Sequence, residues 1–193
     1  MLETLISTDR SLFLFLNGLH CAVVDPLMYY GTATLTWVPL YVFLLYAVIR
    51  RYRWQSVWIL LFAALVVLVS DQLSNLVKDW VARPRPTHEP GITGIHTVHG
   101  YTGGQYGFYS AHASTSLALA IFLIRVLKHQ FRFFPVLILL WAFFRAYTRV
   151  YLGVHYPGDL VAGWIAGAFI GWLFGKACAW WVNRQAGQRL FVA

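Results

Sequence analysis

The stretch Thr148-Arg149-Val150-Tyr151-Leu152-Gly153-Val154-His155-Tyr156-Pro157-Gly158-Asp159 runs directly into an apolar segment that lasts to about Val182. That order decides the architecture. Pro157 suits the first turn of a helix, where its missing N–H costs little. Asp159 falls in the same turn, where negative charge is favoured. A polar knot at the start of a helix long enough to cross hydrocarbon lies at a membrane–water boundary. His155 stands just before that helix, in reach of the Asp159 carboxylate. A carboxylate that accepts one imidazole N–H leaves the other nitrogen basic and aimed outward, as a nucleophile or a base. Arg149 is placed to hold an anion in front of it.

Composition agrees. The 193 residues are 59% hydrophobic and 11% charged, with nine tryptophans and a mean hydropathy of +0.60. An ordinary soluble domain is about one quarter charged. The chain reads as a single membrane-embedded domain over 1–193. Its net charge of +8 points to an anionic partner. Nucleic acid does not suit, because the basic residues fall in short groups between apolar spans, as topogenic charge does. Cys21 and Cys178 belong to opposite ends of the protein and are not expected to pair. No Cys-x-x-Cys or His-Glu-x-x-His zinc pattern occurs.

In chain order, residues 1–25 read as an interfacial N-terminal helix, because the apolar run Ser11–Val24 is too short to span; a short first span is the other reading. Pro26–Ile49 is uncharged and reads as a first transmembrane helix, kinked at Pro39 and closed by Arg50, Arg51 and Arg53. A second runs from Trp54 to about Trp80. Residues 82–110 form a long loop rich in Gly, His and Tyr, of the kind that is usually functional. Further helices are expected over about Ala111–Lys128, Phe133–Tyr147 and Pro157–Val182. The fold class is therefore all-α: a helical bundle of about five transmembrane helices plus the interfacial helix.

Arg50, Arg51, Arg53, Arg125, Lys128, Arg132, Lys176, Arg184 and Arg189 gather on one side with no acid near them, and that side is expected to be cytoplasmic. The seven acids, the 82–110 loop and the 148–159 stretch lean to the other. That outer face collects Lys78, Arg85, Ser110, His112, Arg149, His155 and Asp159. His112, His155 and Asp159 also read as a two-histidine, one-carboxylate metal set, but the three cations would repel a metal and attract a phosphate. The first N–H groups of the helix opened by Ser110-Ala111-His112 lack internal partners and add an anion site.

Lys78-x6-Arg85-Pro86, Tyr109-Ser110-Ala111-His112 and Thr148-Arg149-x5-His155-x3-Asp159 together resemble the three-part signature of the type 2 phosphatidic acid phosphatase superfamily, which includes membrane lipid phosphatases and soluble vanadium haloperoxidases. The match covers 78–159, the catalytic signature region. The resemblance implies that His155 attacks phosphorus and becomes phosphohistidine, that Asp159 orients it, and that His112 protonates the leaving oxygen and then helps activate water. It implies that Lys78, Arg85, Arg149, Ser110 and the Ala111 N–H bind the phosphoryl oxygens, with no metal and no cofactor. Three positions depart from the family pattern. Tyr109 and Ala111 stand where proline and glycine are usual, and Thr148 stands for serine; these bear on substrate fit and not on the reaction class.

The expected function is dephosphorylation of a lipid phosphate or pyrophosphate at the outer face of a cytoplasmic-type membrane, in bacteria the inner membrane with the site facing the periplasm. Undecaprenyl pyrophosphate, phosphatidylglycerophosphate, phosphatidate and lipid A are candidate substrates. The bilayer and a phosphorylated lipid are the expected partners. Two alternatives stay open: a vanadate-dependent haloperoxidase, and a phosphate or anion carrier in which His155 has no catalytic role. Asp71, an acid within the membrane, reads as a functional candidate or as half of a buried pair with Lys78 or Arg145, and Arg145 as a partner for an acid such as Asp71, a snorkelling side chain or an extension of the anion site. His88, His96, His99, Tyr101 and Tyr106 read as headgroup contacts or solvated loop residues. Gly103, Gly104 and Gly107 read as sources of loop freedom, and Arg83 as a headgroup or surface contact.

Overall fold

The structure is a computed structural model and describes residues 1–127 and 130–187; Lys128, Arg189 and the remaining C-terminal residues assigned above to the cytoplasmic side lie outside them. The described chain is helical: α1 (Leu2–Gly18), α2 (Asp25–Thr32), α3 (Val38–Tyr52), α4 (Ser56–Val81), α5 (Ala111–Leu127), α6 (Phe134–Tyr151) and α7 (Pro157–Ala186). Among the described residues, two helical stretches are long and apolar enough to cross a bilayer, Thr34–Val81 and Pro157–Ala186, while the apolar Ala111–Leu127 is shorter. Leu61, Leu65 and Leu68 on α4, Leu137 and Leu140 on α6, and Ile165 and Phe169 on α7 are exposed, as on helices solvated by lipid.

The helix expected over Pro26–Ile49 is in fact two. Ala33 is extended at ψ 135, and a 3₁₀ turn over Thr34–Trp37 follows. The break is resealed locally: Thr36 Oγ1 donates to the Tyr30 carbonyl (2.6 Å) and Trp37 Nε1 to that of Gly31 (2.9 Å). Pro39 therefore sits in the first turn of α3, and no kink is needed there. The N-terminal helix starts earlier than the apolar run. Thr8 and Ser11 hydroxyls bond back to the carbonyls of Thr4 and Ser7, so the polar first turns are helical, and the helix stops at Gly18.

The centre of the bundle is the parallel pair α5 and α7. Gly163, Gly167, Gly171 and Gly175 recur every fourth residue and form one stripe on α7. A Cβ added to Gly163 would lie 2.7 Å from the Ser110 carbonyl oxygen, one on Gly167 2.3 Å from that of Ser114, and one on Gly171 2.4 Å from that of Ala118. The helices thus touch backbone to backbone, the close approach that small residues allow in membranes. Ser70 and Ser114 hydroxyls, 2.7 Å apart, tie in α4, and Ser116 Oγ donates to the Ala142 carbonyl of α6 (3.2 Å). At the far end, Tyr52 OH donates to the Val126 carbonyl (2.6 Å) and Arg125 lies against Gly175. The ends carrying Arg50, Arg51, Arg125 and Lys176 are therefore one end of the bundle, and the signature residues lie at the other. Cys21 is exposed, Cys178 is buried, and both are free thiols.

Candidate active site

Because α5 and α7 run parallel and touching, their first turns meet. The Ser110 N–H donates to the Asp159 carbonyl oxygen (3.0 Å). This single contact joins the second and third parts of the signature. Ser110 is fully buried, and its Oγ accepts the Ala113 N–H at 3.4 Å, which leaves the hydroxyl proton free to donate.

His155 is 2% exposed and Asp159 is not exposed at all. His155 Nδ1 stands 3.4 Å from Asp159 Oδ2, a long contact, and the same oxygen accepts the Tyr156 N–H (3.0 Å) at the start of α7. Burial first, and then the positive charges of Arg85, Arg149 and Lys78, push the His155 pKa well below the usual 6.5. The free imidazole is therefore neutral at neutral pH, with a lone pair to offer. His112, in the first turn of α5, lies in electrostatic range of Arg149, Arg145, His155 and Lys78. Gly107 closes the site from the 82–110 loop: a Cβ there would meet Asp159 Oδ2 at 3.1 Å and the Arg85 stem at 3.2 Å.

The three signature cations are held by neutral oxygens. Arg149 donates to Thr32 Oγ1 (2.8 Å) and Tyr101 OH (2.9 Å). Arg85 donates to the carbonyls of Tyr106 (3.0 Å) and Val154 (3.4 Å). Lys78 reaches Asn75 Oδ1 (3.2 Å) and Ser74 Oγ (3.5 Å). Among the described residues none of the three forms an ion pair with a carboxylate. All three charges act on His155, and those of Arg149 and Lys78 on His112, with no carboxylate in direct contact with any of the three among the described residues; an anion would relieve that field.

Several sequence expectations change. Arg83 is no surface contact. Its Nη1 donates to Asp159 Oδ1 (2.9 Å), its Nη2 to Asp9 Oδ2 (2.8 Å), and its guanidinium lies 4.0 Å from the Tyr156 ring centroid. Asp9, on α1, also accepts the Gly158 N–H (2.7 Å). Asn17, near the end of α1, donates to the carbonyls of His96, Val150 and Tyr151 and accepts the His96 N–H. The N-terminal helix thus braces the starts and ends of the helices that carry the site. Asp71 accepts from Asn75 (3.2 Å) and ion-pairs with neither Lys78 nor Arg145. His96 lies 2.9 Å from Asp25 Oδ1 and stacks on His20; His99 meets Tyr29 edge-on. Gly103, at φ 68, is a packing position, since a Cβ there would sit 2.7 Å from Arg85 Nη1.

These helices and this cluster of residues coincide with a known family. A model of the PAP2 superfamily matches residues 56–186, and the chain belongs to that superfamily. Among individual proteins, it is 42% identical to a lipid A 4'-phosphatase of Bacteroides thetaiotaomicron over 178 residues, 90% of this chain and 78% of the relative. It is 34% identical to a lipid A 4'-phosphatase of Porphyromonas gingivalis, covering 88% of this chain and 72% of that one. In fold it resembles the crystal structure of a transmembrane PAP2-type phosphatidylglycerolphosphate phosphatase from Bacillus subtilis, with a TM-score of 0.67, 22% identity, and 90% and 86% of the two chains covered.

Proposed function

We propose that this chain is a single-domain, integral membrane lipid phosphatase in which α3 to α7 span the bilayer and α1 lies at its outer surface. The observation that carries the reading is the trio Lys78, Arg85 and Arg149, three cations without acidic partners facing a buried neutral His155. A tetrahedral phosphoryl group fits that field. In the proposed reaction, His155 Nε2 attacks phosphorus while its Nδ1–H is held by Asp159. The P–N bond forms as the bond to the lipid oxygen breaks, and His112 gives that oxygen its proton. Water then attacks the phosphohistidine, His112 takes the water proton, and inorganic phosphate leaves with His155 restored. Splitting one hard displacement into two in this way is what covalent catalysis supplies. The three cations, Ser110 Oγ and the Ala111 N–H bear the charge on the equatorial oxygens.

The names of the two relatives support a phosphorylated saccharolipid of the lipid A type as first among the substrates considered. The charge asymmetry of the bundle supports a site on the outer face of the cytoplasmic membrane. The test is phosphate release by the purified protein from a panel of lipid phosphates in detergent. Release is expected to survive a chelator and to be blocked by vanadate, a pentavalent mimic of the transferring group. Loss of activity in EDTA that a divalent metal restores would count against the reading.

The Arg83 bridge leads to another expected result. Arg83→Gln leaves the buried Asp159 carboxylate and the partly exposed Asp9 carboxylate without the cation they share. Breaking a charged hydrogen bond of this kind costs about 1.5–3 kcal/mol, so kcat is expected to fall by about 10–100-fold with KM little changed. In an Asp159→Asn background the same substitution should cost far less. Equal losses in both backgrounds would make Arg83 a purely structural residue.

A further inference from the structure

A cavity of about 480 Å³ opens beside the site between α3, α4, α5 and α6. His112 lines it and His155 does not. In-line displacement puts the nucleophile and the leaving group on opposite sides of phosphorus. If His155 attacks and His112 protonates the departing oxygen, the body of the leaving group must extend past His112, into this space. The walls are Ala63, Ala64, Val67, Leu119 and Trp141, and the polar rim includes Asp71 and Arg145.

Arg145 is 9% exposed, and it donates to two neutral oxygens, Tyr41 OH (3.1 Å) and the Thr32 carbonyl (3.2 Å). Asp71 also lacks a cationic partner within ion-pair distance among the described residues. The cavity therefore holds one cation and one anion that do not neutralise each other directly. A second phosphate would meet Arg145 but also the Asp71 carboxylate. A bare prenyl chain would add no polar contact, leaving Arg145 with only Tyr41 OH and the Thr32 carbonyl and Asp71 with only Asn75, two charges held by neutral partners in a largely apolar chamber, which is costly. A neutral group that both accepts and is polarised, followed by hydrocarbon, satisfies the rim and the walls together.

We infer that this cavity is a leaving-group subsite for acylated alcohols. Arg145 takes the carbonyl of an ester or amide close to the phosphate, Asp71 faces a neighbouring hydroxyl or amide N–H, and the acyl chain lies along Ala63, Ala64, Val67 and Leu119. This deepens the phosphatase reading above and rests on it. It makes Arg145 a specificity-determining residue that selects acylated glycerol or sugar phosphates over prenyl phosphates.

The test compares kcat/KM for dioleoyl phosphatidate with that for undecaprenyl monophosphate, in parent, Arg145→Met and Asp71→Asn proteins in mixed micelles. A site built to hydrogen-bond its substrate discriminates strongly against an analogue lacking the group, so the acyl-to-prenyl ratio is expected to fall at least ~10-fold in Arg145→Met and by a smaller factor in Asp71→Asn. A ratio unchanged within about twofold in both variants overturns the inference, whatever the absolute rates. Should Arg145→Met fail to fold, Ala64→Phe, at an exposed wall position, narrows the chamber. The ratio of phosphatidate to glycerol 3-phosphate turnover should then fall at least ~10-fold, and an unchanged ratio overturns the subsite. A parent protein inactive on every lipid phosphate defeats the phosphatase reading itself, a result distinct from an active parent with unchanged ratios.

Discussion

Replacing His155 with alanine is expected to reduce phosphate release from lipid at least ~10⁴-fold, because the proposed reaction then lacks its nucleophile. The protein should still assemble. Asp159 keeps the Arg83 bridge and the Tyr156 N–H, at 2.9 and 3.0 Å, and the N-terminal contacts of α5 and α7 do not pass through the imidazole. Phosphate or vanadate binding should persist, since Lys78, Arg85 and Arg149 remain. That separation is informative. A carrier that only binds and passes phosphate would tolerate His155→Ala, whereas a phosphatase would retain the anion and lose the chemistry. Retained binding with phosphate release measured at background is the expected pair of results; release within about tenfold of the parent would remove His155 from the reaction.

The second large effect is expected far from any reacting atom. Gly167→Ala adds one methyl group, but that carbon would stand 2.3 Å from the Ser114 carbonyl oxygen and 3.0 Å from the Ser114 Cα. Both are backbone atoms in mid-helix, so neither yields by a side-chain rotation. The helices must part by about 1 Å to restore ordinary contact. The Ser110–Asp159 link at the head of the same stripe sets the distance between His112 and His155, and a misplacement of that size costs about 10²-fold in rate. Overpacking of this kind also costs about 1–3 kcal/mol of stability. Gly175→Ala is the control: its Cβ meets the Arg125 side chain at 3.1 Å, a flexible stem that can move aside. Activity assays and thermal unfolding of the two variants should differ sharply. Similar behaviour would mean that the close helix contact does not hold the site together.

Much of this was legible in the sequence, for identifiable reasons. The starts of α5 and α7 carry their own signals: Ser110 ahead of a helix, Pro157 and Asp159 in a first turn. The charge pattern places the cations and histidines on one face, the resemblance to the three-part signature implies their roles, and the structure gathers them at one end of the bundle. The break at Ala33 was missed, because the run is uncharged and Gly31, Thr32, Thr34 and Thr36 read as helix interior. Tertiary contacts use it instead: the freed Thr32 offers its hydroxyl to Arg149 and its carbonyl to Arg145. Asp9 and Arg83 were missed because partners separated by 74 and 149 residues leave no local trace. The four-residue period of Gly163, Gly167, Gly171 and Gly175 went unread; such a stripe points to helix contact in membranes but names no partner helix, and α5 emerges as that partner only in the structure.

The proposed mechanism requires a covalent bond between phosphorus and His155. The direct measurement is rapid quenching of the enzyme with its lipid phosphate into alkali, where phosphohistidine is stable, followed by mass spectrometry of the peptide spanning Leu152–Leu160. A phosphoryl group on His155 that is lost in acid, and that is missing from His155→Ala, is the result expected. Turnover that proceeds with no phosphoryl group on that peptide, or with one on another side chain, would contradict it.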